Sequence, residues 1–303
     1  MPNYNIVNFR TTDFDEDITH EFQQNGAKLE GTYREEALIG QSATFNILGK
    51  SEAKQSTVMF GDTPEPPELQ NIVRVAIPVV WDDTAWIDPH EWDNSMATTG
   101  KLPARYARNL SMSLGRAKDR TVLNALIGDA VTQTINPATT LPSFDTTEFP
   151  PENILPDNGL PFMVDKLIDA VQMLEEDEAH NGRIWCVVVP RQRAQLMRDT
   201  NFTSFDFNTE RPLVNGYLGN FYGINFIWSS LLMNLSAVHS DTVDTAIMWN
   251  EDAVGFKRQE PITTEISLRP DKKNLVQLYT HMSGGFTRIQ DEGVIQIKTL
   301  RAA

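Results

Sequence analysis

The sequence predicts a mixed α+β protein, and three observations carry that reading. A long amphipathic helical stretch lies between Pro103 and Gly128, helix and strand alternate from residue 162, and strand patterns fill the chain after Val238. The 303 residues, 40% of them apolar, suffice for one large domain or two moderate ones with their own cores. No apolar run approaches the roughly 20 residues a membrane helix needs.

Residues 1–38 show little periodicity; Phe9, Phe14 and Phe22 are scattered among Asp13, Asp15, Glu16, Asp17 and Glu21. So acidic a segment has too few apolar groups to order itself, so support from a neighbouring subunit is expected. Residues 41–81 read as two long strands around a polar excursion rich in Pro, Lys and Glu, which makes a ribbon with too little core to stand alone. Pro103 suits a first helical turn, and Ala107, Leu110, Leu114, Ala117 and Thr121 fall on one helical face. Residues 131–161, rich in proline and without a period, read as an irregular loop. FMVDKLIDAVQMLEEDEAHNG reads as a helix closed by Asn181-Gly182, IWCVVV as a buried strand, and Pro190 as the opening of a short helix. After Val238 the strands include ITTEISL, with Ile262, Thr264, Ile266 and Leu268 on one face, and RPDKKN has hairpin-turn chemistry.

The net charge of −15 argues against DNA reading, because phosphate backbones are held by Lys and Arg. The N-terminus lacks the basic start and apolar centre of a signal peptide. Cys186 is the only cysteine, so no disulfide can form within the chain, and its apolar strand predicts a buried, inert thiol. Catalytic and metal motifs fail on spacing. Gly49-Lys50-Ser51 has Thr44 where a phosphate loop needs glycine, and DFDEDI has Ile18 where a calcium loop needs glycine. His20-Glu21 and His90-Glu91 lack the second histidine of a zinc protease. An acid/base pair among the many carboxylates stays open, but nothing singles one out. In GYLGNFYGINFIWSSLL, Gly216, Gly219 and Gly223 miss the dinucleotide spacing, and a strand follows where a helix is required; these glycines are architecture. No catalytic, cofactor or metal site is therefore expected.

Taken in order, several passages resemble a tailed-phage major capsid protein of the Hong Kong 97 type. They are GQSATFNILGKSEAK returning through VRVAIPVVWDDTAWIDPHEW, LGRAKDRTVLNALIGDA, VVVPRQRAQLMRD with GYLGNFYGINFIWSSLL, and the segment from MWNEDAVGFKRQE to GVIQI. The resemblance implies an N-terminal arm (1–38), an extended β-hairpin loop (39–82), a peripheral domain with a long spine helix and a β-sheet (83–161 and 239–303), and an α/β axial domain (162–238). It implies no enzyme activity and no cofactor. The expected activity is self-assembly into hexamers and pentamers of an icosahedral shell around double-stranded DNA, in the virion, after assembly in the host cytoplasm. Expected contacts between subunits involve Phe9, Phe14, Phe22, Lys50, Glu52, Lys54 and Arg74. Lys50 and Lys54 lie in the extended loop, but a partner asparagine and catalytic glutamate find no match, so no cross-link is expected. A separate scaffolding protein, a portal and a decoration protein are the implied partners, with no membrane. An encapsulin-like shell around cargo enzymes, and a soluble α/β enzyme with a β-rich second domain, are the alternatives.

Overall fold

The computed structural model describes residues 23–38, 43–51, 71–88, 101–135, 142–199, 202, 220–235 and 242–301. In chain order the strands are β1 (Arg34–Ala37), β2 (Ala43–Leu48), β3 (Asn71–Ala76), β4 (Val79–Ile87), β5 (Ala130–Ile135), β6 (Pro142–Thr147), β7 (Ile154–Leu155) and β8 (Ile184–Val188). They continue as β9 (Asn220–Phe221), β10 (Ile224–Trp228), β11 (Val243–Asn250), β12 (Val254–Arg269), β13 (Leu275–Arg288) and β14 (Val294–Leu300). The helices are α1 (Lys101–Ile127), α2 (Val164–Glu176) and α3 (Pro190–Arg198).

Among the described residues three sheets form, with strand orders β1-β12-β13-β4, β7-β14-β11-β8-β10-β9 and β2-β3-β5-β6. The central sheet owes its position to β8, whose side chains are apolar on both faces, as a strand covered from both sides must be. Cys186 and Val188 pack with Leu167, Ala170, Val171 and Leu174 of α2 and with Leu196 of α3. Val187 and Val189 point the other way, onto Val122, Leu123 and Leu126 of α1. Strands β8 and β10 run parallel, with α3 in the crossover between them. Gln192 anchors that helix: its side chain accepts from Val189 N–H and donates to Thr299 Oγ1, which donates to the Asp244 carbonyl.

Helix α1 serves two sheets. Leu110 lies against Leu278 and Ile87 of the first sheet, while Val122, Leu123 and Leu126 face the central one. The expected face through Ala107, Leu110 and Leu114 is therefore right for the first half only. In the second half the buried side rotates because a different sheet meets the helix, and Thr121 instead donates to the Ala117 carbonyl.

Two boundaries differ from the sequence reading. Helix α2 stops at Glu176, before Asn181-Gly182. Glu178 takes the left-handed conformation (φ 59°), its N–H bonds Glu175 O, and Ala179 N–H bonds Leu174 O, the pattern of a Schellman ending built on glutamate. Residues 131–161 are not a plain loop. Strand β5 pairs with β3 and β6 with β5, so the β2–β3 ribbon becomes four strands wide at its root. Val131, Thr132 and Thr134 supply β-branched side chains, and Pro142 is tolerated because β6 is an edge strand.

The closing segment also departs from expectation. Strands β11 and β14 belong to the central sheet with β8, not to the sheet of β12 and β13. Pairing runs from Val243↔Leu300 to Trp249↔Val294, continues through Asn250 N–H to Gly293 O, and resumes from Val254↔Arg288 to Arg269↔Leu275. A single long hairpin thus threads both sheets.

Gly223 is a turn residue. Tyr222 (φ 53°) and Gly223 (φ 76°) form the two-residue turn joining Phe221 to Ile224, with positive φ at both positions as hairpin twist demands. Gly216 and Gly219 lie outside the described residues. A Cβ at Gly223 would meet nothing within 4 Å, so the cost of Gly223→Val is conformational. We expect it to lower subunit stability by about 1–3 kcal/mol in urea unfolding; a variant unfolding alongside wild type would show the turn to be ordinary.

Candidate functional site

Asp291, on the turn between β13 and β14, joins two sheets through its carboxylate. Its Oδ2 accepts from Arg74 of β3 and its Oδ1 from Arg288 of β13, each at 2.5 Å. Arg74 also donates to Thr132 Oγ1 of β5. Arg288 is fully buried, donates to the carbonyls of Leu126, Gly128 and Glu148, and lies over the Phe149 ring. The cluster therefore fixes the root of the extended ribbon to the end of α1. Arg74, expected at a contact with another subunit, spends its charge here inside its own chain.

A second structure crosses α1. Asp119 accepts from Gln24 Nε2 and from the N–H groups of Lys28 and Leu29. Burial pushes its carboxyl above the usual range even though these donors hold it down. Residues 26 and 27 lie so close to Gly115 that a Cβ there would sit 2.7 Å from Ala27 N. Beyond the crossing, Leu29 and Tyr33 enter the core, with the Tyr33 ring edge-on to Phe256 and Phe286, and Lys118 pairs with Glu30 above them. Residues 23–33 are thus a strap held by their own subunit, although the sequence reading assigned the whole 1–38 stretch to an arm supported by neighbours. Gln23 marks its outer end, bonded to Asn109 and Arg116.

Of the other expected contact residues, Lys50 meets Glu178 at 3.5 Å with both side chains about four-fifths exposed, a pairing worth little in water. Phe9, Phe14, Phe22, Glu52 and Lys54 lie outside the described residues. At the far end of the ribbon Leu48 and Ile72 are exposed, whereas Ala43, Phe45 and Ala76 at its root are buried.

The first sheet exposes apolar side chains on β12 as well as at Val79, Val80 and Trp86 of β4. In register, Ile266 stands beside Leu278 and Ala85, and Leu268 beside Val276 and Ile87. These residues share the face on which α1 rests, but the helix covers Leu278 and Ile87 and leaves Ile266 and Leu268 exposed. Ile262, Ile266 and Leu268 are 42, 59 and 67% exposed. Strand β1 pairs only with Gly255–Arg258, so among the described residues no strand pairs along the outer edge from Glu260 to Arg269. The alternation of this stretch was legible, but its exposure depends on where α1 lies.

Among the described residues no group of His, Cys, Asp and Glu could hold a metal ion. Cys186 is fully buried, and burial pushes its thiol well above the ordinary range. Asp119, Arg288 and Asp291 escaped the sequence reading; a charged Arg-x-x-Asp spacing at the end of an apolar strand was the available signal for the last two.

Among the described residues, a ribbon buried at its root, an open strand edge and an exposed apolar stripe suit a structural building block. The family profile described as phage capsid protein matches residues 7–300, and the chain belongs to that family. No curated protein matches the sequence. Among solved structures, the capsid of cyanophage P-SCSP1u is similar with a TM-score of 0.71 at 14% identity, covering 97% of this chain and 94% of that one. The cyanophage Pam1 capsid is similar with a TM-score of 0.70 at 9% identity over 100% of both chains. Mycobacterium phage Che8 gives 0.66 at 15% identity, over 94% of this chain and 96% of that one. The chain is a major capsid protein, a structural component of the virion and not an enzyme, with the α+β fold of tailed-phage capsids.

Proposed function

We propose that the chain builds hexamers and pentamers of an icosahedral shell around double-stranded DNA. The observation that carries this reading is the burial gradient along the described part of the β2–β3 ribbon: Ala43, Phe45 and Ala76 at its root are buried in the subunit, while Leu48 and Ile72 towards its other end are 70 and 39% exposed. Burial of such groups on a neighbour couples subunit stability to assembly. Residues 39–82 act as the extended loop, with Lys50, Glu52 and Lys54 at contacts between subunits. Phe9, Phe14 and Phe22 make further contacts from an arm confined to residues 1–22, ahead of the strap. Arg74 is not among these contacts, because its charge is satisfied by Asp291. The peripheral unit (83–161 with β12 and β13) and the axial unit (162–238) share the long closing hairpin. A net charge of −15 lets the wall enclose DNA without adhering to it. A scaffolding protein, a portal and a decoration protein are the partners the resemblance implies.

Purified protein is expected to scatter light as high oligomers and to show rings, sheets or shells in negative stain. A stable monomer at every salt and protein concentration would overturn the reading.

A further inference from the structure

We propose that the outer edge of β12 pairs with the same edge of a second copy, antiparallel across a two-fold axis centred on Ser267. The inference rests on the capsid reading and names one of its interfaces.

The usable edge has clear ends. Pro261 and the register shifts between Arg258 and Thr263 interrupt the strand on one side, and the turn at Pro270 ends it on the other. Eight residues, Ile262 to Arg269, remain with one edge unpaired among the described residues, and a two-fold centred on Ser267 pairs the five from Glu265 to Arg269. An open strand edge is a template for another strand. The sequence of the edge then selects the partner. Two like strands meeting antiparallel, with their apolar faces on one side of the joined sheet, pair residues whose numbers have a constant even sum. Centred on Ser267, that rule sets Ile266 opposite the partner's Leu268 and Glu265 opposite the partner's Arg269. Both pairs occur twice by symmetry, as an isologous contact requires. Shifting the centre to Ile266 puts Leu268 against threonine and Glu265 against serine. Shifting it to Glu265 sets two carboxylates face to face, which is destabilising. Other centres also bring apolar residues together, Ile262 with Ile266 about Thr264 and Ile262 with Leu268 about Glu265, but only the centre at Ser267 joins an apolar pair to a pair of opposite charges.

The surroundings accept this arrangement. Ile266 and Leu268 already stand on the face beside α1, so joining two copies makes a four-residue apolar band between the two helices. Arg269, about half exposed, lies against Asp271 at 3.1 Å at the end of the strand, within reach of a carboxylate on a neighbouring strand.

Ser267→Cys tests the register directly. Cα atoms directly opposite in an antiparallel pair are about 4.5–5.5 Å apart, within the span of a disulfide. Cys186, the only native cysteine, is fully buried and does not compete. In assembled particles exposed to mild oxidant, most Ser267→Cys chains are expected to run as covalent pairs on a non-reducing gel, and Glu265→Cys chains are not. Particles that assemble but yield single chains would overturn the pairing and leave the capsid reading intact, whereas wild-type protein that never assembles would remove the capsid reading itself. Slow amide exchange along Ile262–Arg269 without cross-linking would mean that another segment covers the edge, and would also overturn it. Should Ser267→Cys fail to assemble, charge exchange gives an independent answer. Glu265→Arg and Arg269→Glu should each lower particle yield several-fold, and the double exchange should restore it; a double variant no better than the singles would overturn the proposal.

Discussion

Asp291→Ala is expected to destabilise the subunit by about 3–5 kcal/mol, the range for removing one partner of a buried ion pair. The cost is high because one carboxylate serves two guanidiniums, Arg74 and Arg288, whose side chains are 7 and 0% exposed. Truncation leaves both charges without their carboxylate in a region closed by Phe149 and the end of α1. Against a typical total of about 5–15 kcal/mol, such a loss takes much of the soluble fraction with it. Urea unfolding of dissociated subunits measures the effect, and expression with solubility fractionation gives a second reading. Asp291→Asn, which keeps one acceptor oxygen, should fall between alanine and wild type. Unfolding of the alanine variant alongside wild type would show that water replaces the carboxylate without cost.

Gly115→Ala is expected to cost about 1–3 kcal/mol, the usual penalty for forcing atoms into a filled site. The added Cβ would lie 2.7 Å from both Ala27 N and Gly26 C. Those atoms are backbone and cannot rotate away, so the strap must lift. Lifting it pulls the N–H groups of Lys28 and Leu29 off Asp119 and loosens Leu29 and Tyr33 in the core. The signature is local as well as global: trypsin should cut after Lys28 faster in the variant than in wild type, while the sheets keep their protection. Unchanged cleavage with unchanged melting would mean that the strap does not depend on its close approach to α1.

Local pattern was the legible part of this fold. Pro190 opened α3, Gly128 followed α1, Tyr222-Gly223 turned a hairpin, and the β2–β3 ribbon paired as its alternation required. The parts that were not legible depend on distance in sequence. Strands β5 and β6 looked like loop because their stability comes from β3, more than 50 residues earlier. Helix α2 ended early because Glu178 adopts a conformation that glycine adopts more easily, so Asn181-Gly182 drew the boundary too late. Strand β14 alternates much as β12 does, β11 holds a continuous apolar run, and neither pattern names the strand it will pair with. The candidate surfaces divide in the same way. The row Ile262, Thr264, Ile266, Leu268 could be read as one face, but only the placement of α1 leaves it bare. Arg74 reads from the sequence as a contact with another subunit because Asp291, its partner within the chain, lies 217 positions away.

The long hairpin from Val243 to Leu300 also sets an order of events during synthesis. One major core takes Ala246, Met248, Ile295 and Ile297 from it, and the other takes Ile247, Trp249, Val254, Phe256, Phe286 and Val294. The central sheet has no strand between β8 and β7 until this hairpin arrives, and β4 and β1 have nothing to pair with. A nascent chain that has emerged only as far as residue 242 can therefore close neither core. A polypeptide released from the ribosome short of that point can complete only the β2-β3-β5-β6 sheet and leaves both major cores open, so incomplete translation products are expected to be kept out of a growing particle by their own topology.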